Sequence, residues 1–280
     1  MDEPLTFSPL PSRALIAVGG AEWRSFLQGL LTQDVETLAP GEARFGALLT
    51  PQGRLLFDVF VVGRGDGCWL DVLAQSRETV AQRLALYRLR AKVEMAADET
   101  AVSCAYGAAE PQGAGWTADP RLPDLGWRGY GVQAPAGAVV ATEAAREARK
   151  LALGVPGPAD WGSDRTYPIE ANFDLLNGID FKKGCFVGQE TTSRMKRRGQ
   201  VKSRMLPIAF DGPAPTFGAE ILAGTLRAGE VLSGQDGRAM ALVRLDRVAG
   251  GELTVEGRPV RIERPAWFSA ALRVESPQEP

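Results

Sequence analysis

The segment Phe181-Lys182-Lys183-Gly184-Cys185-Phe186-Val187-Gly188-Gln189-Glu190 concentrates more reactive chemistry than any other stretch of this chain. A helix is expected to start at Gly188, with Glu190 in its positive first turn. Arg194, Lys196, Arg197 and Arg198 would crowd its negative end, and Gly199 would stop it. Cys185 then stands just before a helix N-terminus and follows a lysine pair. Both features favour the thiolate, the nucleophilic and metal-binding form of cysteine. The competing reading is a buried cysteine acting as a small apolar residue, the commoner fate of a free thiol. Phe181, Phe186 and Val187 argue for burial; the lysines and glycines argue for exposure.

A second signal is Asp58. In Leu55 to Val62 both alternating faces are apolar except for this residue, so the segment reads as an interior strand holding one carboxylate. A buried carboxylate needs a partner or a shifted pKa, and such groups mark candidate sites. A structural ion pair with an arginine satisfies the same pattern. The third signal is charge: from Lys182 to Arg204 eight basic residues face one acid, Glu190. Such a patch suits a phosphate backbone or the glutamate tail of a polyglutamylated cofactor, and equally a solvated face. No aromatic residue interleaves with Arg194 to Arg204, which argues against a nucleic-acid groove.

Absences narrow the chemistry further. Without a single histidine, Ser-His-Asp and Cys-His catalysis and His-ligated metals are excluded. Cys68, Cys104 and Cys185 are far apart, and a cysteine-only zinc or cluster site in one chain needs four thiolates. No conventional metal centre is expected. A net charge of −2 gives no general attraction to nucleic acid or anionic membranes, and no apolar run is long enough to span a bilayer. Met1-Asp2-Glu3-Pro4 is acidic, with no visible signal peptide, so a reducing cytoplasm is the expected compartment.

The elements that must position these residues follow from periodicity. Trp23 to Leu31 carries one apolar stripe at helical spacing. Strands are expected over Arg44 to Thr50, Leu55 to Val62 and Cys68 to Leu73, with Pro51-Gln52-Gly53 as a turn. Ser76 caps a helix through about Leu86, and Thr142 to Leu153 forms another. Tyr87 to Val93 alternates basic and apolar residues, as a half-exposed strand would. From Met205 short strands alternate with Gly-rich turns, the pattern of a small β-barrel. The class is α+β, with one region over 1–200 and an all-β domain over 201–273.

Lys183-Gly184-Cys185-Phe186-Val187-Gly188-Gln189-Glu190 resembles the K-G-C-[FY]-x-G-Q-E signature of the YgfZ family, relatives of the glycine cleavage T-protein. Phe26 to Val35 resembles that family's F-L-Q-G-x-x-T-x-D-V opening, Pro51 to Asp58 its P-x-G-R-x-x-x-D segment and Tyr87 to Val93 its Y-x-L-R-x-K-V run. Gly154-Val155-Pro156, Pro168 to Asn172 and Gly229 to Gly234 also fall where the family has matching runs. The resemblance implies a three-lobed ring around a folate-binding hole, closed by a C-terminal barrel. It further implies a tetrahydrofolate ligand and a role in maturing or repairing iron–sulfur enzymes, including tRNA-modifying ones, with Cys185 as the reactive group. A pterin wants an apolar slot with one carboxylate, and a folate tail wants cations. Asp58, Glu170, Lys182 and Lys183 are the candidates for those roles.

Where the T-protein carries polar groups that orient folate and its aminomethyl adduct, this chain has Phe57, Leu73 and Ala152. Those departures argue against aminomethyl transfer. Three functions stand at this point: a folate-dependent accessory factor for iron–sulfur proteins, a tetrahydrofolate-dependent C1 transferase, and a tRNA-binding factor.

Overall fold

The computed structural model describes residues 3–197, 201–248 and 251–269. The N-terminal part comprises β1 (Thr6–Pro9), β2 (Arg13–Gly19), α1 (Trp23–Gln28), β3 (Ala43–Leu49), β4 (Leu55–Gly63), β5 (Gly67–Leu73), α2 (Arg77–Arg88) and β6 (Glu94–Asp98). There follow β7 (Val102–Tyr106), β8 (Trp116–Ala118), β9 (Trp127–Tyr130), β10 (Val139–Val140), α3 (Glu143–Ala152), α4 (Pro158–Trp161) and α5 (Gln189–Arg197). Six strands, β11 (Ser203–Ala209), β12 (Glu220–Ala223), β13 (Leu226–Gln235), β14 (Arg238–Arg244), β15 (Leu253–Val255) and β16 (Arg258–Ile262), close into a barrel.

Two open five-stranded sheets precede the barrel, in the orders β10-β1-β7-β9-β8 and β3-β4-β5-β2-β6. The second sheet is nested in the chain between β1 and β7 of the first. Leu27 and Leu31, from α1 and the turn after it, pack with Val59 and Val61 of β4 and Leu70 of β5 on the second sheet's apolar face. That burial holds a helix of only two turns, too short to persist alone. On α3, Thr142 caps the first turn by accepting from the Ala145 amide at 3.2 Å. The buried residues of α3 are two cations, Arg146 and Lys150, one helical turn apart.

The mixed helix–sheet class and the C-terminal barrel agree with the sequence reading. Tyr87 to Val93 does not. α2 runs through Arg88 and ends at Leu89, whose φ of +44° breaks the helix, and β6 begins only at Glu94. The first half of that alternation has no buried face, since Tyr87 and Leu89 are exposed and only Val93, just before β6, is buried. Period two signals a strand only when one set of side chains meets a core. The expected helix stop at Arg198 and Gly199 lies outside the described residues.

Candidate functional site

Cys185 is exposed, whereas Cys68 and Cys104 are buried. Its two successors pull in different directions. Phe186 enters the core that includes Phe45, Phe173 and Met205, and Val187 packs on the core beneath the second sheet. Behind Cys185, the Lys183 ammonium donates to three carbonyls at the end of α1, Gln28 at 2.8 Å, Leu31 at 2.6 Å and Gln33 at 2.8 Å. The Val187 amide donates to Gly29 O at 3.1 Å, and Asp180 Oδ1 accepts from the Lys182 and Lys183 amides. Ahead of it, Gly188 has φ +82°; a Cβ there would meet Thr50 O at 2.6 Å and Gly53 Cα at 2.9 Å. Only glycine fits that crossing. Three sequence-distant motifs, Phe26 to Val35, Pro51 to Arg54 and Lys183 to Glu190, thus meet to hold one thiol outward. α5 begins at Gln189, as the sequence reading placed it to within a residue.

Asp58 lines a separate cavity of about 430 Å³ between the two sheets, α3 and α4. It is buried, and its Oδ2 accepts from Arg13 Nη1 at 3.0 Å. Arg13 donates through Nε to Asp71 Oδ1 at 2.6 Å and through Nη2 to Asp71 O at 2.6 Å. Arg128, 3.8 Å over the Phe60 ring, donates to Asp71 Oδ2, which also accepts from Tyr130 OH at 3.0 Å. Arg121 forks onto Asp119 at 2.9 and 2.7 Å. Burial opposes charge on Asp71, but Arg128 and Arg13 outweigh it and hold the carboxyl below its ordinary range. Arg121 does the same for Asp119. Burial pushes the Lys150 ammonium down, partly offset by Glu147, which accepts from it at 2.7 Å.

The expected site residues are therefore not one site. Asp58 is in the cavity, paired with an arginine. Glu170 is elsewhere: its Oε2 accepts from the Tyr167 amide at 3.0 Å, burial raises its pKa, and it lines a cleft against β13 and β14. Lys182 is exposed on the Cys185 segment, and the Lys183 ammonium is committed to carbonyls, with burial lowering its pKa to about 8. Neither lysine lines the Asp58 cavity. Arg204 also leaves the basic patch, because it is buried on Asp174 at 2.5 and 2.9 Å. A count of charges along the chain cannot tell a capping or paired cation from a free one.

Phe57 and Leu73 do line the cavity; Ala152 does not, and the α3 carboxylates there are Glu143 and Glu147. The residues that sequence reasoning missed are Arg13, Arg121, Arg128, Arg146 and Lys150. A signal existed on α3. Glu143, Arg146, Glu147 and Lys150 stand at i, i+3, i+4 and i+7, one charged stripe that reads as a solvated face until a cavity is found against it.

A family model for the C-terminal β-barrel domain of CAF17 matches residues 202–270. In three dimensions the chain is similar to the glycine cleavage system aminomethyltransferase T from Bartonella henselae, with a TM-score of 0.75 and 17% identity over 94% of this chain and 86% of that one. That likeness establishes the fold. The mitochondrial iron–sulfur cluster assembly factor IBA57 homologue of Neurospora crassa is 31% identical over 75% of this chain. The chain spans only 55% of that relative's length. Human IBA57 is 28% identical, over 86% of this chain and 78% of its own. These relatives are mitochondrial, which overturns the cytoplasmic expectation; reduced thiols and an acidic start report no address. The IBA57 homologue of Pyricularia oryzae is 31% identical over 90% of this chain and 75% of that protein. With the fold and barrel in agreement, this chain belongs to the IBA57 family.

Proposed function

We propose that this protein is a folate-binding accessory factor for assembling or repairing iron–sulfur proteins, with Cys185 as its working thiol in a YgfZ-type segment. The observation that carries the reading is the single exposed cysteine, held outward by Lys183, Val187 and Gly188 while the other two are buried. The names of the IBA57 relatives give the client class. One thiolate cannot complete a cluster. Cys68, whose pKa burial pushes up to about 12, and Cys104 cannot join it without unfolding. The remaining ligands of any iron bound at Cys185 come from the client or assembly partner.

Tetrahydrofolate, when bound, supplies a one-carbon carrier, and the cavity's donors and acceptors fit its ring. Asp58 holds Oδ2 on Arg13 and presents Oδ1 to the N–H edge of a pterin. Phe57 and Leu73 offer apolar contact. The two apolar side chains in that wall support an accessory role over aminomethyl transfer.

Complementation tests the reading. In a strain lacking this protein, Cys185→Ser should fold, bind folate and fail to restore iron–sulfur enzyme activities. Asp58→Asn should weaken folate binding. Full rescue by Cys185→Ser removes the thiol from the function.

A further inference from the structure

The buried charges around the cavity do not balance. Arg13, Arg121, Arg128, Arg146 and Lys150 are buried or nearly so, against four buried carboxylates, Asp58, Asp71, Asp119 and Asp160, the last of which accepts from Ser233. Glu147, the partner of Lys150, keeps 57% of its side chain exposed, and Glu143 is engaged in accepting from the Ser12 amide and hydroxyl. The excess falls on Arg146. Its side chain is 2% exposed, its Nη2 reaches Asp119 Oδ2 only at 3.5 Å, and that oxygen already accepts from Arg121 at 2.7 Å. Its Nη1 is buried with no hydrogen-bond partner, Arg146 is among the residues lining the cavity, and its other neighbours are the Cys104 thiol and the Tyr106 ring, 5.9 Å from its guanidinium carbon. A guanidinium left in that state is costly unless something else completes it.

We propose that Arg146 is the docking point for an anionic oxygen, a carboxylate or phosphate group, of the ligand this cavity binds. The inference builds on the cavity being a ligand site and moves its anion-binding end from Lys182 and Lys183, where the sequence suggested it, to α3. A guanidinium pairs with a carboxylate or phosphate through charge-assisted hydrogen bonds, about twice as strong as neutral ones. The Nη1 donor calls for that partner, and so does a charge that Asp119, shared with Arg121, only partly offsets. A neutral carbonyl would satisfy the donor and leave the charge. Asp58, with one oxygen on Arg13 and the other open, is an acceptor and suits the opposite, N–H-bearing end of a ligand. The cavity is thus polar in a definite sense, an acceptor on β4 and a cation with an unused donor on α3.

Calorimetry on the full chain in chloride buffer tests this with three probes. p-Aminobenzoylglutamate carries carboxylates and no pterin, tetrahydropterin carries the ring and no carboxylate, and inorganic phosphate carries charge alone. The wild-type protein should bind p-aminobenzoylglutamate. Arg146→Met, which keeps length and removes charge and donors, should weaken it roughly ten- to hundredfold. The same variant should leave tetrahydropterin within twofold and should not lower the melting temperature of the ligand-free protein. Arg146→Gln serves as a second variant that retains one donor without charge, and should also lose the carboxylate probe. Phosphate competing with p-aminobenzoylglutamate marks a general anion site; no competition marks a carboxylate site, and both support the assignment. Equal binding of p-aminobenzoylglutamate by wild type and Arg146→Met overturns it. So does a loss of tetrahydropterin binding as large as that of the carboxylate probe. Failure of the folate reading is distinct, since there tetrahydropterin does not bind at all and Asp58→Asn changes nothing.

Discussion

Asp71→Asn keeps the shape of a fully buried carboxylate and removes its charge. Asp71 joins the two open sheets: it sits on β5, accepts from Arg13 on β2, and accepts from Arg128 and Tyr130 on β9. Removing one member of a buried ion pair costs about 3–5 kcal/mol, because its partner is left charged and uncompensated. The lower end applies here, since Arg13 keeps Asp58 at 3.0 Å and Arg128 keeps Asp119 at 3.9 Å. A loss of about 3 kcal/mol corresponds to a melting temperature lower by roughly 6–12 °C. Urea and thermal unfolding at pH 7 measure it, with Asp71→Asn/Arg128→Met as the cycle partner, expected to recover part of the loss. The effect has a pH signature. The folded carboxyl is held below its ordinary value, so its stabilisation is complete above the unfolded value of about 4 and is lost as pH falls through the lower folded one. The gap between wild type and variant should therefore narrow below about pH 4. A gap under ~0.5 kcal/mol at pH 7 refutes the latch between sheets. A gap that stays constant into acid refutes its electrostatic origin.

Three further outcomes follow from the Cys185 platform. In the native protein an alkylating reagent should modify Cys185 long before Cys68 or Cys104, read residue by residue by mass spectrometry; equal rates contradict the burial assigned to the latter two. Gly188→Ala forces a Cβ against Thr50 O in a left-handed conformation and should destabilise by about 1–3 kcal/mol. Unfolding curves that overlay the wild type would show that the crossing can relax. Lys183→Met deprives three carbonyls of their shared donor and should cost about 1–3 kcal/mol while leaving Cys185 exposed. Stability unchanged in Lys183→Met would mean that water replaces the ammonium.

The chain's alternations announced the strands that later proved buried, β3, β4, β5 and the barrel, because a core enforces the period of two on them. The same rule misled at Tyr87 to Val93, where Tyr87 and Leu89 face solvent and only the end of the run, at Val93, is buried. Cys185 was legible as a thiol before a helix start. Its exposure followed from something invisible locally, the opposite pulls of Phe186 and Val187 toward different cores. Asp58 was legible as an odd carboxylate in an apolar strand, and the arginine partner was one of the two readings. The cavity was not legible: Arg13, Arg121, Arg128 and Arg146 come from four separate segments, and only tertiary packing makes them neighbours. Lys183 shows the converse, a cation whose sequence context suggested a ligand and whose fold gives it three carbonyls.

Because β2 to β6 lie between β1 and β7 in the chain, a ribosome delivers one complete sheet before the other can close. Thr6 must wait for Tyr106, its pairing partner about a hundred residues later, while β2 through β6 pair among themselves at shorter range. The nested sheet should acquire amide protection first, with β1 the late strand although it emerges first. Asp71 then spends the interval held by Arg13 alone, and Arg128 arrives only when β9 docks. Pulsed hydrogen exchange during refolding reads this order directly, and simultaneous protection of β1 and β4 would contradict it. On that sequence of events the cavity is the last thing built, so a chain cut short before β9 would carry the nested sheet and the Arg13–Asp58 pair but no closed wall for a ligand.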